Sequence, residues 1–307
     1  MVKISFKANI RVNNMRVLIT GKSSYAGKEF IKRMQAKKSD LVIDAISVRD
    51  NEWKSLDFSI YDAIYHVAAI VHLKEKPSME QEYYRVNSDL TFEIAKKAKR
   101  EGVKSFVFLS SIAVYGILGQ IGKDIVISKE TQENPKTFNG KSKLAAEKLL
   151  MPLQSEEFNV AILRIPLIYG CNCPGNYNSL SKLARVTPIF PNLNNKRSMV
   201  FIDHLSDIVE FIIKDKRYGT FLVNNPENFN TLYLVKEIAK NHDKKIFHSS
   251  ILSIILKLFG NRFSVTQKLF GTVYYKLEDT KIKDFAFEDI SFEKTIALSE
   301  GIVGGQD

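Results

Sequence analysis

Between Thr20 and Gly27 the chain reads Thr-Gly-Lys-Ser-Ser-Tyr-Ala-Gly, with glycines at 21 and 27. Glycines so placed suit a tight turn that brings backbone N–H groups and a helix N-terminus close to a pyrophosphate. Ser24 is small enough to keep that approach open, and its hydroxyl can bond a phosphate oxygen; Ser23 and Tyr25 flank it. A two-glycine turn signals dinucleotide binding only when it joins a first strand to a first helix. The next apolar run ends Ser47-Val48-Arg49-Asp50. An acid at such a strand end holds ribose hydroxyls, whereas an arginine accommodates a 2′-phosphate. Asp44 stands too early, so Arg49 points to NADP(H) as the preferred cofactor, with NAD(H) the other option. Cys171 and Cys173 are too close together to close a useful loop, and no His/Cys cluster has metal-ligand spacing. Reduced thiols and no metal are expected. His204 follows an apolar run, and a capping or core role is expected for it.

Elements able to hold such a turn are legible around it. Arg16–Thr20, Leu41–Val48, Ala63–Ile70, Ser105–Ser111 and Asn159–Ile165 are short apolar runs rich in strand formers. Amphipathic stretches at about 29–38, 81–100 and 141–154 alternate with them. Strand–helix alternation of this length predicts right-handed crossovers and a doubly wound parallel α/β sheet covered on both faces. The rhythm breaks after Pro166. Residues 169–197 read as loops around one short helix, and Met199–Asp203 and Thr220–Asn225 as strands rejoining the sheet. The expected organisation is an extension over residues 1–14 and a dinucleotide-binding domain over 15–165. A smaller substrate-binding region over 166–198 and 226–307 completes it.

The formal charge of +11 is spread over lysines at helical spacings, such as Lys28, Lys32, Lys96 and Lys99. That pattern is a set of solvated helix faces rather than a nucleic-acid stripe, and it suits phosphate-bearing substrates or an anionic membrane. No signal peptide and no membrane span are read, so a cytoplasmic protein is expected. Ser249–Gly260 (SSILSIILKLFG) is too short to cross a bilayer. It is expected to be a buried helix of the substrate region, with peripheral membrane contact as the alternative.

Four further segments follow the glycine turn in order. Asp62-Ala63-Ile64-Tyr65-His66-Val67-Ala68-Ala69, Val86-Asn87, Leu109-Ser110-Ser111-Ile112-Ala113-Val114-Tyr115-Gly116 and Leu163-Arg164-Ile165-Pro166-Leu167-Ile168-Tyr169-Gly170 resemble the DxVxHxAA, VN, SSxxVYG and RxPxIYG elements of the extended short-chain dehydrogenase/reductases. The resemblance covers nearly the whole chain and loosens after about residue 230. It implies a Rossmann-like domain with Ala68, Ala69 and Asn87 near the cofactor, and a homodimer formed through the helices at 81–100 and 141–154.

In that family a Ser or Thr, a Tyr and a Lys act together, the tyrosine exchanging the proton while nicotinamide exchanges hydride. The resemblance places Ser111 and Lys143 in two of these roles; Lys143 also holds the nicotinamide ribose. Asn139 stands where the tyrosine belongs, in Asn139-Gly140-Lys141-Ser142-Lys143. An amide has no proton of suitable acidity at neutral pH. Three readings follow: a tyrosine replaced by mutation, a natural member that binds ligands but turns over weakly, or another proton source such as Tyr115 or a water on Ser111.

Dehydratases of this family carry an Asp-Glu pair after the Ser/Thr. Ile112 and Ala113 stand there, so dehydration is not expected. Arg49 then favours 4-ketoreduction of a UDP-4-keto-6-deoxy-N-acetylhexosamine in surface-polysaccharide synthesis; 4-epimerisation of a UDP-hexose or UDP-N-acetylhexosamine is the alternative. Segments 171–176 and 194–198 resemble the bacterial capsule and O-antigen branch, which implies that Asn176 and Arg197 hold the substrate pyrophosphate. A non-catalytic binder of nucleotide sugar or NADP is the reading of another class.

Overall fold

The structure, a computed structural model, describes residues 14–71 and 75–302. The expected extension at 1–14 lies outside the described residues except for Asn14. In chain order the first half runs β1 (Arg16–Thr20), α1 (Tyr25–Ala36), β2 (Val42–Ile46), β3 (Ala63–His66), α2 (Glu80–Tyr84), α3 (Leu90–Arg100), β4 (Ser105–Ser111), β5 (Val126–Ile127), α4 (Phe138–Leu150) and β6 (Asn159–Ile165). The second half runs β7 (Leu167–Tyr169), α5 (Asn176–Val186), β8 (Ile189–Pro191), β9 (Met199–Phe201), α6 (Ile202–Lys214) and β10 (Gly219–Leu222). It closes with α7 (Thr231–Lys240), β11 (Phe247–Ser249), α8 (Ser250–Phe259), α9 (Ser264–Phe270), β12 (Tyr274–Tyr275), α10 (Leu277–Thr280) and α11 (Phe292–Ser299).

Six strands form one parallel sheet in the order β10-β6-β4-β3-β1-β2. Alternate strand residues face opposite layers, as the two-residue period requires. Val17, Ile19, Tyr65 and Leu109 join Phe30, Met34, Ile208 and Ile212 of α1 and α6 in one core. Leu18, Ile64, Phe106 and Ile162 join Ile94, Ala98, Ala146 and Leu150 of α3 and α4 in the other. The predicted doubly wound α/β fold is therefore observed. Between β2 and β3 the chain makes only a short helical turn, Glu52–Lys54, so no strand lies outside β2. Strand order consequently reverses beside β1, and the crevice outside the carboxyl ends of β1 and β3 is where such sheets bind ligands.

Several expected elements change. Met199–Phe201 pairs with Leu167–Tyr169 in a separate two-stranded sheet, and Ile202 opens α6, so of the two expected returning strands only β10 rejoins the main sheet. The expected helix at 81–100 contains a π turn, Arg85–Asp89, between α2 and α3. The helix expected at 141–154 starts earlier, at Phe138, because Thr137 caps it by accepting from the Gly140 N–H at 3.1 Å. Ser249–Gly260 is the largest departure: α8 buries only Ser253, and its apolar side faces outward. His204 is a buried core residue, its ring against Phe201 and Phe287.

Candidate active site

The glycine turn leaves β1 at the crevice. Gly21 has φ +118°, and a Cβ there would stand 2.8 Å from the Ala68 nitrogen, so the turn and the end of β3 touch only because residue 21 has no side chain. Its N–H and that of Lys22 both donate to the Ile46 carbonyl at 2.9 Å, fixing the turn against β2. Ser24 caps α1 by accepting from the Gly27 N–H at 3.0 Å. That engages one lone pair and leaves the hydroxyl hydrogen free to donate. Among the described residues the N–H groups of Ser23, Tyr25 and Ala26 have no partner. Three unpaired N–H groups at the N-terminus of a 12-residue helix, beside the half-exposed Ala68 and Ala69, fit a dinucleotide pyrophosphate. The Tyr25 hydroxyl is committed elsewhere: it donates to the Cys171 carbonyl at 3.0 Å and ties the loop before α5 to the turn. Arg49 is exposed three residues past β2.

Asn87 was expected to touch the cofactor, but every part of its amide is used internally. Its Oδ1 accepts from the Ile70 N–H at 2.7 Å, and its Nδ2 donates to the Ile70 carbonyl and to Ser142 Oγ, each at 3.1 Å. Fully buried in the widened π turn, it clamps the segment after β3 to α4, and so acts as a positioning residue. His66 makes a parallel tie. Thr91 Oγ1 donates to the Asn87 carbonyl at 3.0 Å and so accepts from His66 Nε2 at 2.9 Å, which leaves Nδ1 to accept from Thr20 Oγ1 at 2.7 Å. Burial, reinforced by the Lys143 charge, pushes the imidazole down to about 3, so it is neutral.

Ser111 ends β4, and its Oγ accepts from the Ala113 N–H at 3.1 Å, capping the turn Ile112–Tyr115. A Cβ on Gly140 would overlap the Ala113 carbonyl, so α4 starts hard against this turn and carries Asn139 to the Ser111 segment. Lys143 lies one helical turn further, 3% exposed, its Nζ donating to the Leu109 carbonyl at 2.7 Å and standing 4.5 Å from the Phe108 ring centre. Burial pushes its ammonium down to about 7, against an opposing pull from Glu147. Ser111, Asn139 and Lys143 are thus brought together beside the glycine turn. Asn139 Oδ1 is buried and has no partner among the described residues.

Tyr115 is excluded as the alternative proton source. Its ring is 1% exposed, and its hydroxyl accepts from Arg164 Nη1 at 2.8 Å. Arg164 also holds Glu147 through Nη2 at 2.7 Å and Glu133 at 2.6 Å, and Glu147 accepts from Ser110. This buried network braces β4, β6 and α4 beneath Ser111. The motif segments at 109–116 and 163–170 contain Ser110, Tyr115 and Arg164, but nothing in their spacing showed that they share one network. Glu75 was also missed: its carboxylate accepts from the Phe138 and Asn139 N–H groups at 2.9 and 3.0 Å, adding an acid to the start of α4.

The substrate-side residues stand apart from this cluster. Asn176 is exposed at the first position of α5. Arg197 donates through Nη1 to the Gly271 carbonyl at 3.0 Å, and burial pushes its guanidinium down to about 10. Among the described residues no carboxylate pairs with it, and the same Nη1 also reaches the Gln267 carbonyl at 3.5 Å. Cys171 is exposed, whereas Cys173 is buried and its thiol is pushed up to about 12 by burial. Two cavities lie among the C-terminal elements, one of about 430 Å³ lined by Lys196, Asn228 and Tyr274, the other of about 200 Å³ lined by Asn194, Asn195 and Lys257. Neither is lined by Ser111, Asn139 or Lys143.

A family model described as the NAD dependent epimerase/dehydratase family matches residues 17–223. The chain is 28% identical to the UDP-glucose 4-epimerase of Vibrio cholerae, over 93% of this chain and 92% of that protein. It is 25% identical to the N-acetyl-alpha-D-glucosaminyl-diphospho-ditrans,octacis-undecaprenol 4-epimerase of Escherichia coli O157:H7, over 94% and 91%. In fold it is similar to the UDP-glucuronic acid 4-epimerase of Bacillus cereus in complex with NAD, with a TM-score of 0.70 and 15% identity over 94% of this chain and 98% of that one. With the glycine turn at the switch of strand order and Ser111 and Lys143 beside it, the chain belongs to the NAD dependent epimerase/dehydratase family.

Proposed function

We propose that this chain is a nicotinamide-dependent 4-epimerase of a UDP-linked hexose or N-acetylhexosamine, slowed by Asn139 at the proton-transfer position. The observation that carries the reading is the convergence of Ser111, Asn139 and Lys143 on one side of the Gly21 turn. That is the place where a sugar C4 would face a nicotinamide. Two relatives alike over nine-tenths of the chain are 4-epimerases, which moves the preference from ketoreduction to epimerisation. Ile112 and Ala113 offer no group for elimination of water.

Gly21, Ser23, Ser24 and the N–H groups of α1 would hold the pyrophosphate, and Lys143 the nicotinamide ribose. Bound there, nicotinamide supplies hydride acceptance from C4 and its return. Ser111 orients the C4 oxygen by hydrogen bonding, and Asn139 can donate or accept a hydrogen bond at that oxygen without carrying its proton. Proton transfer is left to solvent, hence the slow turnover. Asn176 and Arg197 would take the substrate diphosphate, Arg197 with its unpaired charge. A homodimer would pair the α3 and α4 faces; Leu149 on α4 and Met151 just beyond it are exposed.

One observation favours a second reading. Arg49, exposed just past β2, suits a 2′-phosphate, and exchangeable NADPH suits net reduction of a 4-keto sugar. The test is nuclear magnetic resonance of UDP-glucose and UDP-N-acetylglucosamine incubated with the chain and NAD. Appearance of the C4 epimer without net cofactor reduction supports epimerisation. Stoichiometric NADPH consumption with a UDP-4-keto-6-deoxy-N-acetylhexosamine, and no epimer, would give the site to reduction. Tight ligand binding with no turnover in the chain or in Asn139→Tyr would leave only a binding protein.

A further inference from the structure

The 34 residues from Lys244 to Leu277 contain six Lys or Arg and no Asp or Glu. The average for the chain, 34 acids in 307 residues, would place about four there. Within this stretch α8 presents an apolar face to solvent: Ile251 is 72% exposed, Ile254 58% and Leu258 67%, with Ile255 and Phe259 beside them. Phe247 on one side and Phe263 and Val265 on the other extend the face beyond the helix. Contiguous apolar surface of this kind is uncommon on a protein without a partner. The helix is held from its other side by polar contacts rather than by apolar burial. Ser253 Oγ accepts from the Asn192 N–H at 2.8 Å, and the Asn261 amide pairs with both backbone groups of Ile121 at 2.9 and 3.1 Å. Its outward face therefore contributes nothing to the core, and conservation of the fold alone does not require it to be apolar.

The charges around that face discriminate between occupants. Lys244, Lys245, Lys257, Arg262 and Lys268 are exposed around it. A two-fold contact with a second copy would lay this patch on itself, bringing base against base with no acid of the stretch to pair them. An anionic bilayer offers acyl chains to the isoleucines, leucine and phenylalanines and phosphate headgroups to the lysines and arginine. We propose that α8 and its flanks are a docking surface for anionic lipid membranes, on which the protein lies peripherally. The docking face is separate from the Ser111–Lys143 crevice and stands whether or not the proposed reaction is right.

The test is sedimentation of the full chain with vesicles of mixed phosphatidylglycerol and phosphatidylcholine, and with phosphatidylcholine alone, at low and high salt. The wild type is expected to partition onto the anionic vesicles roughly tenfold more than onto the neutral ones, and less as salt rises. The double variant Ile254→Glu/Leu258→Glu, at exposed positions, should melt like the wild type yet lose roughly tenfold or more of that partitioning. No preference for anionic vesicles, or equal sedimentation of the double variant, would overturn the proposal. So would a self-association, measured without lipid by analytical ultracentrifugation, that the double variant abolishes, since the face would then belong to a second copy.

Discussion

Asn139 and Lys143 lie one helical turn apart, yet only the lysine can change its charge near neutral pH, being held near 7 by burial. Under the proposed function, Ser111 and Lys143 would orient the sugar and the ribose, while the group at the proton-transfer position is an amide. General acid–base groups contribute roughly 10²–10⁴ in rate, so Asn139→Tyr is expected to raise turnover by about that range. His66 gives an independent prediction. Its folded value, about 3, lies below the ordinary 6.5 because burial disfavours the charged ring. The neutral imidazole therefore supports the fold fully above pH 6.5, and that support is lost as pH falls from 6.5 towards 3. Urea midpoints measured across this window should fall more steeply for the wild type than for His66→Gln; parallel slopes would contradict the assignment.

At the level of elements, the glycine turn is the part most open to a direct test. Gly21→Ala asks for a side chain at φ +118° and within 2.8 Å of the Ala68 backbone. Such strain costs about 1–3 kcal/mol, and relief by displacing the turn should weaken NAD(P)H binding, read from cofactor fluorescence, by roughly tenfold or more. Unchanged affinity would place the cofactor elsewhere. The turn and the strands either side of it were legible because they depend on local pattern, namely apolar runs and glycine spacing, whereas the pairing of Ser111 with Lys143 came only from the family resemblance. Other features were not. The motif around Asn87 cannot distinguish an amide that touches a ligand from one that clamps Ile70 and Ser142. For Ser249–Gly260 the apolar composition suggested a buried helix; the helix forms but buries only Ser253, because composition carries no information on what covers an apolar side. Glu75 caps α4 from more than 60 residues away, a pairing that only tertiary structure reveals.

Across the whole molecule, one buried acid joins the C-terminal helix to the rest. Glu300, its side chain 1% exposed, accepts from Tyr177, Ser181, Arg185 and His242 at 2.7–2.8 Å. Glu300→Ala leaves these donors without their acceptor and should cost about 1–3 kcal/mol, with proteolysis appearing first in the 281–291 segment before α11. A variant as stable and as protease-resistant as the wild type would contradict that anchoring role. No helix among the described residues is long and apolar enough to cross a membrane, so any bilayer contact through α8 is peripheral. The role proposed for residue 139 is tested most directly by the rate of UDP-sugar 4-epimerisation in the wild type and in Asn139→Tyr with NAD. Slow epimerisation by the wild type and a gain of roughly 10²–10⁴ in the tyrosine variant are expected if residue 139 is the proton-transfer position. Equal rates in the two proteins would contradict it, because the proton would then be moving through a group other than the one at 139.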